Sequence, residues 1–310
     1  MRLCLMIEGQ ESVTWEQWLA LASACEGSAI EALFRSDHYG SVMGEPGRSS
    51  LDAWATIAGL AAATSTLRIG TLVSPVTFRH PSVLAKSVVT ADHIAGGGRV
   101  ELGVGAAWLE AEHRRYGFPF PSAADRIAIL AEQIEIIRRQ WEEEVLDFHG
   151  EHYVIESLEA LPKPLAIPNL IVGGRARPRS LALAARWADE YNLLMMGAED
   201  CRAAVPEITA AWEREGRERP VISLMTGGIV GSDRIDLLER AHRVAGVRGE
   251  DATDPDAYVR ELPPHWLVGT VADVATRLDE LERVGVERLM LQYLPQDDLD
   301  GVDLIAELAG

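Results

Sequence analysis

An aspartate and a histidine stand side by side where a short apolar run ends, in AIEALFRSDHYG (residues 29–40). Histidine titrates near neutral pH, so His38 can give a proton to a reacting oxygen or take one from it. Asp37 beside it can orient the imidazole or stabilise its charged form. The same pair also suits a plainer role, with His38 hydrogen-bonding a ligand or the loop backbone. Three other stretches have chemical potential. NLIVGGRARPRS (169–180) ends an apolar run in Gly173-Gly174 and continues into an arginine-rich segment, Arg175, Arg177 and Arg179. Flexible glycines before free helix N–H groups suit an anion, a phosphate above all; a turn followed by a solvated helix face has the same spelling. GTLVSPVTFRHP (70–81) places Leu72, Val73 and Ser74 before Pro75, which holds Ser74 extended. ELGVGAAW (101–108) has Gly103 and Gly105 flanking one valine, ahead of Ala106. Such glycines admit a flat ligand close to the backbone, or serve tight packing of strand on helix.

These stretches are useful only if the fold brings them together. Apolar, β-branched runs bounded by turns occur at 3–7, 29–35, 67–73, 100–105, 169–173, 189–194, 221–230 and 287–293, and helical patterns separate them. Thr14-Trp15-Glu16-Gln17 reads as a capping box, with Trp15, Trp18, Leu19 and Ala22 as the apolar stripe behind it. Ser122 opens a longer stripe (Ile127, Leu130, Ile134, Ile137, Trp141), and Thr270 opens another (Val271, Val274, Leu278, Leu281). Repeated strand–helix alternation predicts a (β/α)8 TIM barrel, read as one domain over residues 1–310. A doubly wound sheet is disfavoured, because the first strand runs into EGQES without a glycine-rich turn. Two long segments, 142–168 and 247–269, are expected as loop insertions, the first with a hairpin around His149-Gly150; loops of this length often cover an active site. In a barrel the strand ends that lead into helices form the working face, so the four stretches share one mouth. AGGGRV (95–100) reads instead as a helix stop.

The net charge of −19 argues against nucleic acid or an anionic membrane surface as partner. No apolar run is long enough to span a bilayer, and no secretory signal is visible. The three cysteines are scattered and lack metal-ligand spacing, which fits a reduced, cytoplasmic location. The eight histidines are dispersed, so no metal centre is expected.

Taken together, RSDHY, the segment from LRIGTLVSPVTFRHP through GGGRVELGVGAAW, EAEHRRYGFPF, LPKPLAIPNLIVGG, RSLALAARWADEYN and LVGTVADVATRLDELERVGVERLMLQ resemble the luciferase-like monooxygenase superfamily along nearly the whole chain. They are most similar to its coenzyme F420-dependent oxidoreductase branch. The resemblance implies a deazaflavin at the barrel mouth. It implies a non-proline cis peptide at Leu72-Val73 supporting the ring, with Asp37 and His38 beside it and Gly173 and Gly174 on the cofactor phosphate. Ala106 stands where deazaflavin members carry a threonine, and Trp108 where sugar-phosphate dehydrogenase members carry a catalytic acid. The expected cofactor set is Asp37, Leu72, Val73, Ser74, Gly105, Ala106, Gly173, Gly174 and Arg175; the expected catalytic pair is His38 and Asp37. Glu112, His113 and Tyr116 are read as further cofactor contacts, and His265-Trp266 as a cap on the substrate side. The expected function is hydride transfer between F420 and a small-molecule substrate. The alternatives are an FMN-dependent monooxygenase supplied by a partner reductase and a barrel that only binds or stores flavin. A homodimer packed through 51–65 and a cofactor-reducing enzyme are the expected partners.

Overall fold

The computed structural model describes residues 1–43 and 47–309. Eight parallel strands close into a barrel: β1 (Arg2–Ile7), β2 (Ala32–Arg35), β3 (Arg68–Pro75), β4 (Val100–Gly105), β7 (Asn169–Gly174), β8 (Glu190–Leu194), β9 (Val221–Gly231) and β11 (Arg288–Gln292). A hairpin, β5 (Leu146–His149) and β6 (Val154–Leu158), lies outside it, and β10 (Leu267–Thr270) extends the sheet along the far end of β9. The helices are α1 (Trp15–Glu26), α2 (Ala53–Ala63), α3 (Pro81–Ile94), α4 (Glu110–Tyr116), α5 (Ala123–Glu142), α6 (Pro178–Trp187), α7 (Ala198–Arg214), α8 (Arg234–Arg248), α9 (Pro255–Glu261), α10 (Val271–Arg283) and α11 (Leu299–Glu307). The expected barrel is therefore present, with each of its eight strands at an apolar run read from the sequence.

Local chemistry sets the helix starts. Thr14 and Thr270 form reciprocal capping boxes with Gln17 and Asp273, and Ser122 caps α5 by accepting from the Asp125 N–H. Pro81 occupies the first turn of α3, where its missing N–H costs nothing. Gly96, Gly97 and Gly98 all have positive φ just beyond α3, which makes AGGGRV a helix stop.

The core has two layers. Leu3, Leu5, Leu33, Ile69, Leu102 and Leu170 point outward to the helices. Cys4, Met6, Phe34, Leu72, Ile171, Met225 and Met290 fill the barrel itself. At the base, Arg288 donates both ends of its guanidinium to Glu101 at 2.8 Å and also reaches Glu190 at 3.0 Å and Glu31 at 2.7 Å. This buried charge cluster closes the end of the barrel opposite the site. It holds Glu101 down at about 2: burial pushes the carboxyl up, and the charge and hydrogen bonds of Arg288, with Arg68 and Asn169, outweigh it.

No residue of either long segment lines the cavity at the barrel mouth. The β5–β6 hairpin packs on α5 through Leu146, Phe148 and Ile155 against Ile136. The chain after it runs along α3, where Lys86 and His93 bond the carbonyls of Leu161 and Lys163. The 247–269 segment packs Tyr258 and Trp266 into a separate apolar cluster with α8. Burial of their own apolar residues against neighbouring elements holds both in place.

Candidate functional site

The mouth contains a cavity of about 480 Å³, in the range of small-molecule sites. Leu72, Val73 and Pro75 form one wall, Gly105 to Leu109 the next, and Gly173, Gly174, Leu194 and Met195 the far side. Val42 and Met43 reach over it from the loop after β2. The Leu72-Val73 peptide is cis, and the β3–β4 register shifts between Thr71 and Ser74. This bulge turns Leu72 and Val73 toward the cavity.

Strand alternation separates the Asp-His pair. Phe34, Ser36 and His38 face inward, whereas Arg35 and Asp37 face the surrounding helices. Asp37 is not among the cavity-lining residues. Its carboxylate accepts from Ser74 Oγ at 2.7 Å and from Arg79 at 2.5 Å. Arg79 also binds Asp52 at 2.8 Å and the Tyr39 hydroxyl at 3.1 Å. The expectation that Asp37 faces the cavity and orients His38 is corrected: Asp37 anchors the strand end from behind. Ser74 likewise lies behind the wall, accepting from Trp54 Nε1 at 3.0 Å.

The carboxylate that holds His38 is Glu112, from α4. His38 Nδ1 lies 2.8 Å from Glu112 Oε2. The other oxygen, Oε1, accepts the backbone N–H groups of Tyr39 and Gly40. One buried side chain thus fixes both the ring and the loop that carries it. Burial alone would lower the His38 pKa, but the hydrogen bond and charge of Glu112, with lesser help from Glu8 and Asp37, leave it raised. Burial opposes ionisation of Glu112, yet His38 and the two N–H groups hold its pKa below the usual range. Trp108 meets the His38 ring edge-on at 5.8 Å and is itself well exposed at the rim. His113 lines the cavity while bonding Thr77 at 2.5 Å and the Leu109 carbonyl at 2.8 Å; Tyr116 sits on the outer surface of α4 and reaches the Tyr39 carbonyl.

The glycines divide by role. A Cβ on Gly103 would sit 2.4 Å from the Thr71 carbonyl, and one on Gly105 2.7 Å from Val73 Cγ2. Both are required by the β3 bulge pressing on β4, so the close approach they allow is of strand to strand. Gly173 and Gly174 line the cavity, with Tyr191 behind: a Cβ on Gly174 would lie 3.2 Å from its hydroxyl. Of the expected cofactor set, Leu72, Val73, Gly105, Ala106, Gly173 and Gly174 border the cavity; Asp37, Ser74 and Arg175 do not. Arg175 lies exposed beyond its edge, His265 lies outside it, and Trp266 is buried against Gly227. The three cysteines are buried, and burial raises the pKa of each thiol, which leaves them poor nucleophiles.

Four further polar residues border the cavity: Glu8, Ser36, Asn192 and Gln292. Glu8, Asn192 and Gln292 belong to none of the four stretches singled out in the sequence, although each stands two residues beyond, or in alternation with, an inward apolar residue. That period-two signal could have found them.

The luciferase-like monooxygenase family model matches residues 4–288, and the chain belongs to that family. It is an enzyme of the luciferase-like oxidoreductase and monooxygenase class. Among its relatives is the pyrimidine monooxygenase RutA of Stutzerimonas stutzeri (strain A1501), 27% identical over 287 residues, which cover 83% of this chain and 77% of that one. The fold matches an F420-dependent secondary alcohol dehydrogenase solved with an F420-acetone adduct, at TM-score 0.82 and 18% identity over 99% of this chain and 98% of that one. It matches monooxygenase RslO1 from Streptomyces bottropensis equally well, at TM-score 0.82 and 21% identity over 99% and 98%.

Proposed function

We propose that the protein is a coenzyme F420-dependent oxidoreductase acting on a small organic substrate, with His38 as its proton-handling group. The observation that carries this reading is His38 itself: it lines a cavity of ring-binding size, and Glu112 holds its Nδ1 at 2.8 Å. The residues fit the cofactor. The cavity walls are largely apolar, the Leu72-Val73 bulge presents a firm surface to a planar ring, and Gly173-Gly174 leaves backbone open at the far side for a phosphate.

A bound deazaflavin supplies or accepts a hydride at a ring carbon. The protein must then move a proton at the substrate oxygen. With Nδ1 committed to Glu112, Nε2 is the atom left for that task, and Glu112 stabilises the imidazolium whenever it forms. The apolar walls of Leu72, Val73 and Met225 lower the local polarity, which strengthens the His38–Glu112 interaction.

A second reading is an FMN-dependent monooxygenase that receives reduced flavin from a partner reductase. The 27% identity to a pyrimidine monooxygenase favours it. The two readings use the same cavity. Titrating the purified protein with F420 and with FMN, and following the visible spectrum, separates them. Tight F420 binding with hydride transfer to a carbonyl library supports the first. FMN binding with oxygen consumption, and no F420 binding, overturns it.

A further inference from the structure

At the floor of the cavity lies a carboxylate that is bonded to neither His38 nor Glu112. Glu8 extends the inward face of β1 above Cys4 and Met6 and borders the cavity, yet is only 5% exposed. Gln10 donates its amide N–H to Glu8 Oε2 at 2.7 Å, and Gln292, from the neighbouring β11, donates to Oε1 at 2.6 Å. Ser36 donates to the Gln10 carbonyl oxygen at 2.5 Å, which fixes that amide with its nitrogen toward Glu8. The carboxylate is thus clamped in one orientation by two neutral donors.

Among the described residues Glu8 makes no ion pair, whereas the buried carboxylates Glu11, Asp37, Glu101, Glu112, Glu190 and Asp298 each face an arginine or a histidine; Asp92, which also has none, is met by the backbone N–H groups of Gly98, Leu165 and Ala166 and lies away from the cavity. A buried carboxylate with one N–H per oxygen has unused acceptor capacity, and no charged group is bonded to it: the His38 imidazole, whose charged form it favours from a distance, is bonded to Glu112 instead. Placed at a cavity wall, it favours a ligand that brings a further donor.

We propose that Glu8, clamped by Gln10 and Gln292, is a substrate-recognition residue that accepts an N–H from the substrate. The substrate class is then a small nitrogen-bearing compound with a free N–H, in preference to an oxygen isostere lacking that donor. The inference rests on reading this cavity as the substrate chamber, but not on turnover. The fixed orientation favours binding, because the side chain has already lost its rotamer freedom before the ligand arrives. A donor-lacking isostere leaves the carboxylate unmatched, and hydrogen bonds to charged groups are worth about 1.5–3 kcal/mol, or roughly tenfold and more in affinity.

The test uses two rings of one shape, δ-valerolactam (N–H) and δ-valerolactone (O), as binding probes rather than substrates. Affinities are measured by calorimetry or ligand-observed NMR on the full chain, with and without F420 or FMN. The lactam is expected to bind about tenfold more tightly than the lactone. In Glu8→Gln the preference should fall to about two- to threefold, with lactone and coenzyme affinity unchanged. This variant should fold, because Gln292 can turn its amide so that Oε1, which now has no partner, accepts the new N–H. If it does not fold, 1-methyl-2-piperidone on the wild-type protein removes the donor instead and should bind no better than the lactone. Equal affinities for lactam and lactone, no lactam binding, or a preference that survives Glu8→Gln each overturn the proposal. So does a loss of coenzyme affinity in Glu8→Gln with lactam preference intact, which would assign the carboxylate to the coenzyme. Absence of hydride transfer, with the lactam preference intact, would sink the proposed reaction and leave this recognition site standing.

Discussion

Replacing His38 by alanine removes the group proposed to handle the proton but leaves the cavity wall of Leu72, Val73, Gly105 and Gly174 in place. Cofactor affinity should change little, while single-turnover hydride transfer falls about 10²–10⁴-fold, the range of a general acid–base group. Glu112→Gln keeps the shape and removes the charge. It weakens one charge-assisted hydrogen bond, worth about 1.5–3 kcal/mol, so transfer should drop about 10- to 10²-fold. The pH profile distinguishes a proton role from a structural one. His38 is raised, so in the carbonyl-reducing direction its acid form is present at low pH, and the rate falls as pH rises through the raised value. Without the Glu112 charge the imidazolium is less favoured, and that fall should move to lower pH. The stability term has the same sign: it is present below the ordinary histidine range and lost as pH rises through the folded value. Stopped-flow absorbance of the cofactor, with affinity measured separately, reads both effects. Unimpaired transfer in His38→Ala, or an unshifted profile in Glu112→Gln, would refute the assignment.

Four other measurements test the rest of the structure. Asp37→Asn weakens one charged hydrogen bond to Arg79, which keeps Asp52 and Tyr39, and should cost about 1.5–3 kcal/mol of stability while transfer per folded molecule stays far above that of His38→Ala; an unchanged Tm with a loss beyond 100-fold would return Asp37 to the chemistry. Gly174→Val should weaken cofactor binding more than Arg175→Ala, because Gly174 borders the cavity and Arg175 does not; calorimetry giving the reverse order would place the phosphate on the arginine. Arg288→Met should destabilise by about 3–5 kcal/mol, because Glu190 would remain as an unpaired buried carboxylate and Glu101 would keep only Arg68, and a denaturant midpoint equal to wild type would contradict this. A homodimer is expected to pack through α2, whose outer positions Ala55, Ala62 and Ala63 are small and exposed; a monomeric mass by light scattering at micromolar concentration rejects it.

Much of this protein was legible in one dimension. Period-two apolar runs and capped helical stripes repeat along the chain, and only a few architectures bury that alternation, so the barrel and its eight strands followed from local pattern. The same logic brought RSDHY, LVSP, GVGA and VGGR to one rim. Tertiary structure decided which side chains look into the cavity. Asp37 and His38 are neighbours in sequence but point to opposite sides of the chain just beyond β2, so the aspartate meets Arg79 and Ser74 behind the wall. The carboxylate beside the histidine came instead from Glu112, 74 residues away, because only closure of the barrel brings α4 against the end of β2. The Glu8–Gln292 contact spans 284 residues, and the Arg288–Glu101 pair spans 187, for the same reason. Local pattern specifies elements because it is set by backbone geometry and solvent. A site assembled from the ends of several strands depends on register and closure, which no single stretch of chain contains.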